Sequence, residues 1–297
     1  MIRLIIHSDD FGLHPCINRA IVDVARSGVL TSASWMANGS AADEALQAAA
    51  SIPGLGVGVH LNIVRGRPLS DPAEVPSLVD SKGRFFNSVG VLLWKSFLGQ
   101  LRDEDIYLEY RRQVERMLRS GMAPTHFDGE KHTHLLLPGS RRAVEKLCRE
   151  FEVKKVRTIS EQRLHALLAG AGVRLNGSPA QRLKLTLLEH ATRRARLCWK
   201  NVKTPDLFLG VLFSGRLTAD EGQKTLGAIL SLKMSAAVEW MFHLGYGDCP
   251  YDGSFSEEFG AFFLRDARIR ETEFLLTGGV REKIAETPGA LISYREL

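Results

Sequence analysis

Cysteine is scarce and scattered in this chain of 297 residues: Cys16, Cys148, Cys198 and Cys249 form no CxxC pair. That spacing fits reduced, mostly structural thiols better than a disulfide framework or a zinc knuckle. No apolar run approaches the ~18 residues that would span a bilayer. The N-terminal apolar run is too short for a signal peptide, so a cytoplasmic location is expected. Internal repeats, low-complexity tracts and a dividing linker are all missing, and one domain over 1–297 is expected. Charged residues at 25% and hydrophobic residues at 44% are ordinary for a globular protein.

Charge is the one unevenly distributed property. The formal total is +5. Between Gln181 and Lys203, seven basic residues stand against the single acid Glu189, so this segment carries more than the whole excess. It reads as a basic helical insertion around 181–203. Its basic stripe is either a solvated surface or a peripheral contact with an anionic membrane. Apart from Trp199 it lacks interleaved aromatics, and no nucleic-acid partner is expected.

Along the chain, apolar runs alternate with helical periodicity. Ile2–Ile6, Leu30–Met36 and Leu55–Leu61 read as strands, with helices over 17–25 and 41–51 between them, the pattern of βαβ units and a parallel sheet. From Asn62 to about Leu101 the periodicity dissolves into a long loop region. Helices are predicted over 103–120, 140–150, 161–171, 219–230 and 270–284. Further strands are predicted at 153–156, 205–209, 238–243 and 290–294, with a polar loop over 245–259. Six to eight βα units in ~300 residues imply an α/β fold of the (β/α) TIM-barrel type, complete or incomplete, with its chemistry at the C-terminal strand ends.

Three strand ends carry that chemistry. The first strand leads into His7-Ser8-Asp9-Asp10-Phe11-Gly12, the third ends on His60, and a late strand ends on His243. Neighbouring side chains of a strand face opposite ways, so Asp9 and Asp10 serve one site only if the backbone turns there, which Gly12 makes easy. Mid-chain, His126, Asp128, Glu130, His132 and His134 share one parity and in an extended chain would point to one side. All five cannot ligate one ion, because the ends would lie about 26 Å apart. Asp10 and His60 with one residue of the 128–134 stretch supply three ligands and leave room for water, the arrangement of a catalytic metal. Asp9 would take a proton from water, and His243 would give one to the leaving group. Asp128, His134 and Arg67 are the candidate substrate contacts.

Ser8-Asp9-Asp10-Phe11-Gly12, Gly58-Val59-His60, Thr125-His126-Phe127-Asp128 through His132-Thr133-His134, Phe242-His243-Leu244-Gly245-Tyr246 and the closing Leu291–Leu297 together resemble the YdjC-like carbohydrate deacetylase family. The resemblance runs from residue 3 to the end. It implies a barrel-like fold and metal-dependent removal of acetyl groups from N-acetylated sugars, with Asp9 as base, His243 as acid, and Asp10 and His60 as metal ligands. Where the family usually has its third ligand, a histidine, this chain has Glu130. A glutamate makes the set harder and favours Mg²⁺, with Mn²⁺ or Zn²⁺ as alternatives; His132 is the runner-up ligand. The basic segment and the stretch from Pro205 to Gly210 resemble the hopanoid-associated members, which implies a lipid-linked acetamido sugar. Two other readings are an amidohydrolase-type metal hydrolase of a non-sugar amide and a non-catalytic sugar- or lipid-binding relative with an altered metal site. The expected partners are an acetylated sugar and, on the protein side, a second copy in a homodimer.

Overall fold

The computed structural model describes residues 1–174, 177–248, 266–287 and 290–297. Its elements in order are β1 (Ile2–Phe11), α1 (Pro15–Arg26), β2 (Ser32–Trp35), α2 (Ala42–Ala50), β3 (Gly56–Leu61), α3 (Val89–Phe97), α4 (Asp103–Arg119) and β4 (Phe127–Gly129). There follow α5 (Thr133–Leu136), α6 (Pro138–Glu150), α7 (Glu161–Gly170), α8 (Pro179–Cys198), β5 (Leu207–Leu209), α9 (Ala219–Leu230), β6 (Ala236–Phe242), α10 (Asp266–Thr277) and α11 (Val280–Ala285).

The strands form one six-stranded parallel sheet in the order β4-β3-β2-β1-β6-β5. β1 lies inside it, and Leu4, Ile5 and Ile6 have no exposed surface, as expected of a parallel strand covered on both faces. Pro15 opens α1 behind its N-cap His14, and Ile17, Ala20, Ile21 and Val24 bury the face that the sequence spacing predicted. Register places the chemistry. Ser8 is paired with Phe242, which sets Asp9 level with His243, and His60 is paired directly with Asp128.

The sheet curls. In a flat sheet β1 and β4 would be three strand spacings apart, about 14 Å. Yet the Arg157 guanidinium touches Asp9 of β1, Asp128 of β4 and Glu239 of β6 at 2.8 Å each. The predicted strand at 153–156 exists only as isolated bridges, Phe127 with Val156 and Lys155 with Lys203. Backbone hydrogen bonds run from this segment to Phe127 on one side and Lys203 on the other. The described residues therefore form a curled half-barrel, and a closed ring of eight strands is not among them.

Four further expectations change. The 62–101 region contains a helix, α3. The predicted 270–284 helix is two, α10 and α11, separated at Gly279, whose φ is +67°. The predicted closing strand is a single bridge, Leu4 with Leu291, followed by a 3-10 turn over Tyr294–Glu296. Cys148 and Cys198 are free thiols as expected, but Cys16 is disulfide-bonded, which corrects the expectation of reduced thiols at that position. Cys249 and most of the predicted 245–259 loop lie outside the described residues. No helix among those residues is long and apolar enough to cross a membrane.

Candidate active site

The turn that Asp9 and Asp10 need is made at Asp10 itself. The β1–β2 register shifts between Ser8 and Phe11, Asp10 takes a φ of +71°, and Gly12 follows at +93°. A left-handed aspartate costs on the order of 1 kcal/mol or more, and the carboxylate's partners hold it there. Both acids thereby line one cavity of about 220 Å³ at the C-terminal strand ends.

Asp9 is clamped. Arg157 meets both of its oxygens, at 2.8 and 2.9 Å, and the Ser34 hydroxyl donates to it at 3.3 Å. Burial pushes its pKa up, but the guanidinium outweighs burial and holds the carboxyl far below the usual range. Asp10 is bonded by Arg268. His60 turns Nδ1 to Asp128 at 2.8 Å and Nε2 to Glu130 at 3.3 Å, with Asp10 4.0 Å away. Burial alone would lower this imidazole's pKa; Asp128 and Glu130 overcome it and hold it well above the ordinary value. Glu130 is buried too, yet the His60 hydrogen bond and Arg65, 2.6 Å from the other oxygen, bring its pKa down to about 2.

The mid-chain run is not extended. β4 ends at Gly129, Glu130–His132 form a 3-10 turn in which Lys131 and His132 are left-handed, and α5 begins at Thr133. Shared parity therefore fails beyond Gly129, and the five residues part company. His126 lies buried against Tyr294, rings stacked at 3.8 Å, in space left by Gly58, where a Cβ would sit 2.5 Å from the imidazole. His134 is fully buried, bonded to the Arg157 carbonyl and stacked on Trp199, and Asp128 is fully buried behind His60. Neither borders the cavity: Asp128 meets His60 and Arg157, and His134 meets the Arg157 carbonyl. Arg67 is also outside it, exposed beside the Lys82 carbonyl, while its neighbour Arg65 is a lining residue.

His132 lines the cavity edge-on to Phe208, with Nδ1 unbonded. His243 lines it as well. Its backbone N–H donates to Glu271 at 2.6 Å, its ring stands 3.5 Å from the Ser214 hydroxyl, and burial lowers its pKa.

Asp10, His60 and Glu130 offer three ligand atoms within 4.8 Å of one another, all buried and all facing the cavity. Two other groupings, His7-His126-Asp128 and Asp9-His60-Asp128, meet the same distance among the described residues. Both include Asp128, which does not border the cavity and has one oxygen on His60 and the other on Arg157. The first triad fits a divalent cation best: two carboxylates, an imidazole aimed inward through Nε2, and a carboxylate behind that imidazole to fix its tautomer. His132 belongs to none of the groupings.

Sequence reasoning missed Arg157, Arg65, Arg268 and Glu271. Arg157 directly follows a predicted strand, and that was its only signal. Arg65 and Arg67 share a parity and a loop, so spacing could not choose between them. The other two lie far from any motif.

A curled parallel sheet whose C-terminal strand ends gather carboxylates and imidazoles in one cavity has the layout of an α/β barrel-type active site. The YdjC-like protein family matches residues 3–286, and the chain belongs to that family. It is 27% identical to a carbohydrate deacetylase of Clostridium beijerinckii over 99% of this chain and 100% of that protein. It is 37% identical to a chitooligosaccharide deacetylase of Escherichia fergusonii over 44% of this chain and 50% of that one. The crystal structure of a putative cellobiose-phosphate cleavage protein from Enterococcus faecalis superimposes with a TM-score of 0.74 over 99% of this chain and 98% of that one. At 23% identity, that likeness concerns the fold alone.

Proposed function

We propose that this protein is a metal-dependent hydrolase that removes the acetyl group from an N-acetylated sugar. The observation that carries the proposal is the Asp10-His60-Glu130 triad facing the same cavity as an anchored Asp9. The full-length relative named as a carbohydrate deacetylase supports the choice of substrate class.

Asp10, His60 and Glu130 would hold the ion, and the carboxylate-rich set favours Mg²⁺ or Mn²⁺ over Zn²⁺. When bound, such an ion supplies Lewis acidity to the amide carbonyl and lowers the pKa of water. Asp9, fixed by Arg157 and Ser34, accepts the proton of the attacking water. His243 delivers a proton to the sugar nitrogen as the C–N bond breaks. Acetate and a free amine result, with the new C–O bond made by water. Arg65 holds Glu130, and Asp128 holds His60, so neither ligand has to reorient.

The assay is acetate release from N-acetylglucosamine oligomers and from lipid-linked acetamido sugars, with and without chelator. Chelator-sensitive release from either class supports the reading, and preference for the glycolipid supports the finer, lipid-linked substrate. Absence of acetate from both classes, with bound metal verified, would overturn it in favour of a non-sugar amide.

A further inference from the structure

Helix α3 is the least covered apolar element of the described structure. Of its nine residues only Leu92 is buried, while Trp94 is 61% and Phe97 80% exposed, their rings stacked at 5.8 Å. Val91, Leu93 and the following Leu98 are exposed beside them. This is a continuous ridge rather than the single exposed leucines of an ordinary surface. The helix is well formed: the Ser88 side chain accepts from the Val91 N–H at its start. Its ridge is therefore presented by a fixed backbone.

Its charge surroundings are basic on balance, although Asp71, Glu74 and Asp80 of the preceding loop are exposed, with Glu74 paired to Arg112. The helix contains Lys95 and no acid. In the loop leading into it, Arg67 and Lys82 are exposed and Arg84 is half-buried, while Asp80 is turned onto the backbone N–H groups of Lys82 and Arg84. The Asn87 N–H is bonded to the Val64 carbonyl, next to the cavity-lining Arg65, so α3 starts close to the site.

We infer that α3 is a membrane-docking helix, its Trp94–Phe97 ridge entering the interface of an anionic bilayer with basic residues at its rim. Aromatic and aliphatic side chains over a cationic border are the composition of an interfacial helix. A second copy of the chain fits the ridge less well. Nine residues make a strip about 14 Å long and 10 Å wide, roughly 140 Å², against about 800 Å² per partner in a stable interface. The basic helix α8 is a weaker candidate. It exposes Leu183, Leu187 and Leu197, but Arg196 is turned inward onto Thr158 and the Pro205 carbonyl. The inference does not depend on the deacetylase reading.

The test is flotation of the full chain with vesicles of phosphatidylcholine alone or mixed equally with phosphatidylglycerol, read together with tryptophan emission. Trp35, Trp199 and Trp240 are buried, so a change in emission reports Trp94. The expected result is binding to the anionic vesicles with a blue shift. Trp94→Ser with Phe97→Ser should reduce binding about tenfold or more, and Trp94→Phe should keep most of the binding while losing the blue shift. No binding at low salt overturns the inference. So does binding that the double substitution leaves intact, or a lipid-independent dimer that the same substitution abolishes.

Discussion

Glu130 carries two demands at once. One oxygen is held by Arg65 and the other lies 3.3 Å from His60, so the carboxylate is fixed before any ion arrives. If it is a ligand, Glu130→Ala and His60→Ala should each weaken metal binding beyond the ~10–100-fold typical of a supporting residue. His132→Ala should leave it intact. Metal content after equilibrium dialysis checks this, and the reverse result would transfer the third ligand to His132. Asp9 differs, because it is not one of the three ligands proposed. Asp9→Asn should lower kcat for acetate release by about 10²–10⁴, with metal content unchanged. A loss of metal in that variant would make Asp9 a ligand instead of a base. At this scale the sequence was informative where residue type limits chemistry: the adjacent acids, His60 and His243 all reach one cavity. It was uninformative about direction: both His132 and Glu130 line the cavity, and which of them comes within reach of Asp10 and His60 depends on two left-handed residues that no spacing rule anticipates.

Strands and helices with strong local patterns were legible, and their joining was not. β1, β3, α1, α4 and α9 lie close to where periodicity puts them, because burial of one face is a local property of the sequence. α3 escaped notice because its apolar residues bury almost nothing and so lack the one-sided pattern of a core helix. The barrel-type curl was expected from the alternation of strands and helices, but the side chain that spans it was not: the partners of Arg157 lie 148 residues away at Asp9 and 82 away at Glu239. This guanidinium ties β1, β4 and β6 across the inside of the half-barrel. Burial raises the pKa of Glu239 to about 7 even against the pull of Arg157, so the balance there is narrow. Arg157→Met should uncover three buried carboxylates and cost about 3–5 kcal/mol in urea unfolding. Arg157→Lys should recover only part, since a point charge cannot replace a planar fork between three acceptors. Equal stability of wild type and Arg157→Met would show that the sheet holds its curl without the cation.

Over the whole molecule, the half-barrel gathers so many ionisable groups that its stability must depend on pH, and the sign can be worked out. Burial lowers the pKa of His126 to about 3 and of His134 to about 4, and pushes His7 and His132 well below their ordinary value. Near pH 5.5 these four are neutral when folded and mostly protonated when unfolded, against an ordinary value of 6.5. Unfolding takes up their protons, and stability falls as pH drops. Glu239 and Glu271, both raised by burial to about 7, act oppositely: they are protonated when folded and mostly ionised when unfolded, around 4.5. His60, held high, is protonated in both states there and contributes nothing until pH rises above 6.5. Four groups against two leaves a net uptake of about two protons, to which the lowered His243 adds, a slope of roughly 2–3 kcal/mol per pH unit or more. Below pH 4.5 the two glutamates drop out. The carboxylates held low, Asp9, Asp128 and Glu130, then resist protonation only in the folded state, and the slope steepens. Urea unfolding of the metal-free protein should therefore show a midpoint that falls steadily from about pH 6.5 to pH 5 and faster below. A midpoint that stays level or rises over that interval would mean that the buried imidazoles take up protons without unfolding, and the cluster would then be a cationic site rather than one poised for a divalent ion.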